Sequence, residues 1–358
     1  MGLGYRGPVI QIELGESTLD RTRIAMSPLN ELIAGLELVH RERERRRAPW
    51  PYTDWVERAR DVLRSVPETA PLQVYAQLYG AEHARRTPDL FTPVPLAARP
   101  VLAEQLELVR KTSHAVVEEQ FTKHYPEGLP DFLLPYRDDG DRAFGRLADA
   151  LAAFWELAIA PYWPVMRAAL DEEVLLRART LAADGPEAVL TSLRGAARWD
   201  RPVLSLPKRR ESVLPAHDQR LLLVPLILAQ EKLTCSTDHA EILMVTYQAR
   251  GAAVLAPKPA PSRASRDRLA QLIGPGRAAV LRALSEPSTT TGLAATLGLA
   301  PSTVSEQLSS LLETGAVHRS RTGRQVLYTL EPAGTALIAL FAEDSDPAEA
   351  LEPPGDDS

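Results

Sequence analysis

The stretch from Leu269 to Leu330 constrains the fold more than any other part of this 358-residue chain, because three helical patterns are followed there by two short β-patterns. Its middle part, TTTGLAATLGLAPSTVSEQLSSLL, has the pattern of a helix-turn-helix. The hydroxyls of Thr289 to Thr291 can cap a first helix, and Gly298 follows the last apolar residue, where glycine commonly ends a helix. Pro301 then stands at the first position of a second helix, where its missing N–H is not needed. We therefore predict two short helices joined by a tight turn.

The second of these helices, predicted over 301–314, has two different faces. Val304, Leu308 and Leu311 recur at helical spacing and should pack on the preceding helix. The remaining face is polar and has no bulky apolar side chain, which suits a helix in the major groove of DNA, where base edges offer donors and acceptors. The candidate DNA-contacting residues on this face are Ser302, Thr303, Ser305, Glu306, Gln307 and Ser309.

A hairpin is predicted directly after this helix, over 316–330. Two alternating segments, AVHRSR and RQVLYTL, flank Thr322-Gly323, a pair typical of a hairpin turn. Arg319, Arg321 and Arg324 lie near its tip, where guanidinium groups can meet phosphates. The pattern thus predicts a wing whose arginines contact the DNA backbone.

The distribution of charge favours nucleic acid as the partner. The whole chain has a net charge of −6, whereas the segment from Arg266 to Leu330 has seven Arg against four acidic residues, a local net charge of +3. A basic domain in an acidic protein is the electrostatic pattern of a nucleic-acid-binding surface. The alternative is a protein-interaction module, in which the winged helix binds protein and an acidic tail keeps nucleic acid away.

The segment from Leu269 to Gly334 resembles the winged-helix domain of the ArsR-type bacterial transcription regulators. The matching residues are Gly276-Arg277, Leu281, Leu284-Ser285-Glu286-Pro287, Leu293-Ala294, Ser302-Thr303-Val304-Ser305, Leu308, Leu312, Gly315 and Gly323-Arg324-Gln325-Val326-Leu327-Tyr328. Two positions depart from the family pattern: Gln307 stands where His is most frequent, and Ala300 stands where a Ser cap is usual. The lost cap should cost about 1 kcal/mol of helix stability.

The resemblance implies a repressor that acts as a homodimer on double-stranded operator DNA. It places the dimer contacts on helices that flank the winged helix, at about 266–273 and 333–342. The apolar residues assigned to this contact are Leu269, Leu272, Ile273, Leu337, Ile338, Leu340 and Phe341.

The rest of the chain predicts a mainly α protein with a small β component. Residues 1–256 form a helical N-terminal domain that ends in a few strands, with regulation or dimerisation as its expected role. Further helices are predicted at 54–65, 68–85, 99–123, 141–160, 164–183 and 186–197, and a strand at Val9 to Leu14. A Pro-rich linker follows at 257–265, a winged helix-turn-helix at 266–342, and an acidic, disordered tail at 343–358.

This N-terminal part is similar to the upstream domain of a subset of actinobacterial ArsR-type regulators. Ser27-Pro28 at the head of the first long helix and YQARG at Tyr247 to Gly251 carry this similarity. It brings no known ligand, so a small-molecule effector is an open expectation.

No catalytic, cofactor or metal site is predicted. The chain has no glycine-rich phosphate loop, no G-x-S-x-G and no H-E-x-x-H. Cys235, Asp238 and His239 are close in sequence but lack the further ligands that zinc requires. The aromatic residues Phe154, Trp155, Tyr162 and Trp163 indicate either a small-molecule pocket or ordinary core packing, and packing is favoured. With a single cysteine and no apolar leader, we expect a cytoplasmic protein that is not an enzyme.

Overall fold

The computed structural model describes residues 9–45, 48–80, 87–193, 197–207, 212–256, 267–322 and 325–341. The chain divides into two compact units at Ala256. Helices dominate the first unit together with smaller sheets, and a helix-turn-helix with a two-stranded sheet forms the second, so the predicted fold class is confirmed. The predicted linker at 257–265 and the predicted tail at 343–358 lie outside the described residues.

The helices of the first unit follow the apolar patterns of the sequence, with breaks where caps and prolines require them. They are α1 (Glu16–Asp20), α2 (Pro28–Arg41), α3 (Thr53–Ser65), α4 (Gln73–Leu78), α5 (Leu102–Arg110), α6 (His114–His124), α7 (Leu134–Asp138), α8 (Gly140–Phe154) and α9 (Trp163–Thr191). Helix α2 begins as predicted, because the Ser27 hydroxyl accepts a hydrogen bond from the Asn30 N–H at 3.1 Å. Helix α9 is interrupted at Gly185, whose φ of 81° separates the two helices predicted there.

Two predicted helices are shorter than expected. The segment 99–123 is two helices, α5 and α6, because Ser113 caps the second one by accepting from the Val116 N–H at 3.5 Å. The segment 68–85 begins as a 3₁₀ helix over Pro67–Leu72 and becomes α4 only afterwards, and Pro71 within it has no N–H to donate. Residues 81–85 of this prediction lie outside the described residues.

Two four-stranded sheets complete the first unit. The first has the order β3 (Arg198–Asp200), β4 (Val203–Pro207), β1 (Val9–Leu14) and β5 (Ser212–Ala216); the second has the order β2 (Arg23–Ile24), β6 (Arg220–Leu226), β8 (Ile242–Gln248) and β7 (Thr234–Ser236). Strands β6 and β8 are parallel and almost wholly buried, which explains their continuous apolar sequences. Because β1 and β2 pair with strands after residue 200, the start of the chain contributes to both sheets.

Two buried carboxyl groups of the first unit have close hydrogen-bond partners. The Glu31 carboxyl group on α2 accepts from the backbone N–H of Ile227 at 2.9 Å and of Leu228 at 2.6 Å. On α9, Glu173 accepts from Arg177 at 2.6 Å and from Arg250 at 2.7 Å. These contacts tie the helices to the ends of β6 and β8. No helix within the described ranges is long and apolar enough to cross a membrane.

The second unit has the element order of a winged helix. Its elements are α10 (Arg268–Ile273), α11 (Pro275–Ala283), α12 (Thr290–Leu297), α13 (Pro301–Glu313), β9 (Val317–Thr322), β10 (Gln325–Leu330) and α14 (Pro332–Leu340). Its own core includes Val280, Leu281, Leu293, Val304, Leu308, Leu311, Val317 and Tyr328.

Candidate DNA-binding surface

The turn between α12 and α13 is built by local signals that the sequence carries. The Thr289 hydroxyl caps α12 by accepting from the Gly292 N–H at 2.9 Å. Gly298 ends the helix with a φ of 68°, in the left-handed region. After two further residues α13 begins at Pro301, and Ala300 gives it no side-chain cap. The two helices are thereby held as a helix-turn-helix.

Helix α13 buries one face and exposes another, as its pattern predicts. Val304, Leu308 and Leu311 are no more than 3% exposed. The exposed candidate residues are Ser302, Thr303, Ser305, Glu306 and Ser309. The Ser309 hydroxyl donates to the backbone oxygen of Ser305 at 2.9 Å, a bond that a competing partner on the exposed face can replace.

Gln307 occupies a different position from the other candidates on α13. It is half-buried, and its Cδ lies 3.3 Å from where a Cβ on Gly276 would be. One turn further, the Ser310 hydroxyl accepts from Arg277 Nη1 at 3.1 Å. This side of α13 therefore contacts the start of α11, and Gln307 packs there.

Arg277 is an exposed basic residue beside α13, and it is not among the residues that the sequence predicts to contact DNA. The signal was present, since Gly276-Arg277 belongs to the family pattern, but helical periodicity alone does not show that α11 begins next to α13.

The wing is an antiparallel hairpin in which Thr322 pairs with Gln325, so Thr322 belongs to β9 and not to the turn in which the sequence predicts it. Arg319 is opposite Tyr328 and Arg321 is opposite Val326, so the two arginines share one face of β9. Both are exposed. The third predicted arginine, Arg324, lies outside the described residues.

The base of the wing is anchored to the unit by backbone contacts. Ser288, just before α12, pairs with Tyr328: its N–H donates to the Tyr328 oxygen at 3.0 Å, and the reverse bond is 2.8 Å. At the other end, the Glu331 N–H donates to the Ala316 oxygen at 3.1 Å. A Cβ on Gly334 would overlap that same oxygen, so only glycine lets α14 approach this closely. The wing is thus fixed relative to α12 and α14.

One arginine that contributes to the local positive charge is engaged elsewhere. The Arg282 guanidinium donates to both carboxylate oxygens of Asp267, at 2.9 and 2.8 Å. Asp267 also caps α10 by accepting from the Ala270 N–H at 2.9 Å. The hydrogen bonds from Arg282 lower the pKa of the Asp267 carboxyl. Arg282 therefore stabilises the unit's first turn of helix.

The residues assigned to a dimer contact differ widely in exposure. Leu269 is only 1% exposed and belongs to the interior, whereas Leu272 is 62% and Leu340 69% exposed. Three of the remaining residues pack partly on the core of the unit: Ile273, Leu337 and Ile338. Phe341 is half-buried, with the Arg268 guanidinium 5.6 Å from its ring centre.

Two of the three sequence neighbours considered as metal ligands make hydrogen bonds to other groups. Asp238 accepts from Lys123 Nζ and from His124 Nε2, both at 2.7 Å. His239 Nδ1 accepts from the backbone N–H of Glu241 at 3.1 Å. In the part of the chain that the structure describes, no group of three His, Cys, Asp or Glu side chains is placed to hold a metal ion.

Comparison with known proteins gives a match within the second unit. Residues 274–319 match the family model described as the bacterial regulatory protein, arsR family. No match is found among curated proteins or among solved structures. The matched segment spans α11, α12, α13 and the start of β9, which is the helix-turn-helix with the first strand of the wing. An ArsR-type domain supports a DNA-binding transcription regulator, and the N-terminal unit lies outside the matched residues.

Proposed function

We propose that this protein is a sequence-specific transcription repressor that reads the major groove with α13 and binds phosphates with the wing. The observation that carries the proposal is the exposed face of α13, where Ser302, Thr303, Ser305, Glu306 and Ser309 offer only short polar groups. Such groups match the donors and acceptors of base edges. Arg319 and Arg321 share a face of the wing and supply positive charge that suits phosphate contacts. If the polar face of α13 were only solvated, the domain would not need this charge.

The repressor acts as a homodimer in this proposal. Leu272 on α10 and Leu340 on α14 are large apolar side chains that the unit leaves exposed. A second copy would cover them, and the two recognition helices would then read two half-sites whose spacing reflects the dimer. Leu269 acts from the interior by holding α10 in place, since it is buried in the monomer.

The experiment is selection of binding sites from random duplex DNA by the full chain, followed by competition between the selected and random duplexes. We expect the selected site to bind at least about 10³-fold more tightly than random DNA, and to contain two related half-sites.

The discriminating variant is Glu306→Ala, with Glu313→Ala as its matched control on the same helix. Both glutamates are exposed, but Glu313 is the last residue of α13. Glu306→Ala should relax the preference at one base pair by about 1–3 kcal/mol, and Glu313→Ala should not. Absence of any sequence preference, together with binding that salt does not weaken, would refute the proposal and favour the protein-interaction module.

A further inference from the structure

The first unit contains a cavity that the proposed DNA-binding function does not use. Its volume is about 150 Å³. It lies between the start of α2, the segment that leads into α5, and the junction of α8 with α9. The lining residues are Met26, Pro28, Arg99, Pro100, Val101, Leu102, Trp155, Trp163 and Arg167.

Two tryptophans form an aromatic corner in this cavity. The ring centres of Trp155 and Trp163 are 5.0 Å apart and the ring planes are inclined at 63°. Trp155 is 7% exposed, so its ring is held by the core, and Trp163 is half-buried. A flat ligand can therefore contact the face of one ring and the edge of the other, an arrangement that aromatic groups prefer.

The backbone at this corner departs from regular helix. Trp155–Ile159 is a π-helical segment, a feature that is frequent at functional sites. Two side chains of α3 stabilise it: Trp55 Nε1 donates to the Ala158 oxygen at 2.9 Å, and Arg58 Nε donates to the Leu157 oxygen at 2.8 Å. The corner is thus preformed.

The opposite wall is also fixed before any ligand binds. The Met26 N–H donates to the Ala98 oxygen at 3.0 Å, which holds the segment before α5 against the start of α2. Gln105 on α5 donates to the Ser27 hydroxyl at 2.8 Å and accepts from the Leu29 N–H at 3.0 Å. A preformed site loses little conformational entropy when it binds a small molecule.

The mouth of the cavity has a net positive charge. Arg99 and Arg167 are exposed there, and within the described chain Asp171 is the one carboxylate that pairs with either. Arg99 Nη2 is 3.0 Å from one oxygen of Asp171, and Arg167 Nε is 4.0 Å from the other. Two guanidinium groups beside one carboxylate leave a net charge of one positive unit. Most of their ten N–H donors also stay available for a ligand, and both features suit a monoanion.

We propose that this cavity binds a small monocyclic aromatic carboxylate. The ring enters the corner of Trp155 and Trp163, and the carboxylate meets Arg99 and Arg167. The size fits, because an apolar cavity of about 150 Å³ accommodates benzene, and the carboxylate remains at the open mouth. The binding of this ligand is inferred from the geometry of the first unit alone. Only its role as an effector of DNA binding rests on the proposed function.

The test is a titration of the full chain with benzoate, followed by tryptophan fluorescence and by calorimetry. We expect saturable binding of one molecule per chain with a Kd of about 0.1–1 mM, as the few atoms of this ligand allow. Benzamide has the same shape without the charge, and it should bind at least about tenfold more weakly because it forgoes the charge-assisted bonds. DNA is absent from this experiment, so its outcome does not depend on the proposed function.

Variants locate the binding site. Arg99→Gln combined with Arg167→Gln should abolish the preference for benzoate over benzamide. Trp163→Leu should lower the affinity for both ligands. The control replaces Arg64 and Arg137 with Gln, two surface arginines of the same unit that do not line the cavity.

Circular dichroism identifies any variant that fails to fold, and the arginine variants are expected to fold because both side chains are exposed. The proposal is overturned by any of three results: no saturable binding of benzoate, equal affinity for benzoate and benzamide, or unchanged benzoate affinity in the Arg99 and Arg167 variant.

Discussion

Replacing Arg319 and Arg321 with alanine should weaken DNA binding to a similar extent on specific and on random duplexes. Both side chains are exposed on one face of β9, so on the proposed function each neutralises a phosphate and neither reads a base. Phosphate contacts contribute affinity without sequence information. Loss of the two should therefore leave the ratio of specific to random affinity nearly unchanged.

The size of the effect follows from counting contacts. Each phosphate contact contributes about 0.9 to the slope of log affinity against log salt concentration. Two lost contacts per wing should make the slope shallower by about 1.8, so that the variant loses about tenfold less affinity than the wild type between 50 and 200 mM salt. A dimer that engages both wings would double the change in slope.

The assay is a titration of fluorescent duplex followed by anisotropy at several salt concentrations. Because net charge alone also affects binding, the control replaces Arg64 and Arg137 with alanine, which removes the same charge from exposed sites in the first unit. The control should keep the wild-type slope. If the wing variant keeps the wild-type slope and affinity, the assignment of the wing to phosphates is wrong.

Two further predictions concern stability. Gly334→Ala should destabilise the second unit by about 1–3 kcal/mol in urea denaturation, because a Cβ there overlaps the Ala316 oxygen and overpacks the contact. The control is Gly276→Ala, whose Cβ would meet the movable Gln307 side chain at 3.3 Å. This control should be neutral or stabilising in the same assay. Equal effects of the two substitutions would contradict the close approach of α14. Burial raises the pKa of Glu31 from 4.5 to about 7, so the folded state favours the protonated form of this side chain. The free energy of unfolding should therefore fall by about 3 kcal/mol in total as the pH rises from 4.5 to about 7. The Glu31→Gln side chain is neutral at every pH, so the difference in the free energy of unfolding between wild type and variant should change over this pH range. A difference that stays constant would show that Glu31 does not titrate there.

The helix-turn-helix could be predicted from the sequence because its determinants are local. The Thr289 cap, the left-handed Gly298 and Pro301 at the start of α13 each act within a few residues of the chain. The buried stripe of α13 follows from the helical period alone. Alternation likewise predicts the hairpin, but the predicted turn pair Thr322-Gly323 does not give its register, because Thr322 pairs with Gln325 and belongs to β9.

Features that depend on distant residues could not be predicted in this way. Gln307 shares the polar face of α13 by periodicity, yet it packs on Gly276 because α11 begins beside it. The pairing of Ser288 with Tyr328 joins residues 40 positions apart, and neither residue carries a signal for its partner. In the first unit, β1 has a recognisable strand pattern, but its neighbours β4 and β5 come almost two hundred residues later.

The chemistry of α13 also limits how the proposed regulator can gain its affinity. The exposed candidates on this helix comprise four hydroxyl residues and Glu306, and none of them is basic. A carboxylate near the phosphates of the groove costs affinity on any sequence unless it accepts a hydrogen bond from a base, and cytosine N4 is the donor that suits it. Attraction must then come from the arginines beside the helix, Arg277, Arg319 and Arg321. On the proposed function, therefore, α13 contributes selectivity by penalising wrong bases, and the arginines contribute the affinity that depends on salt.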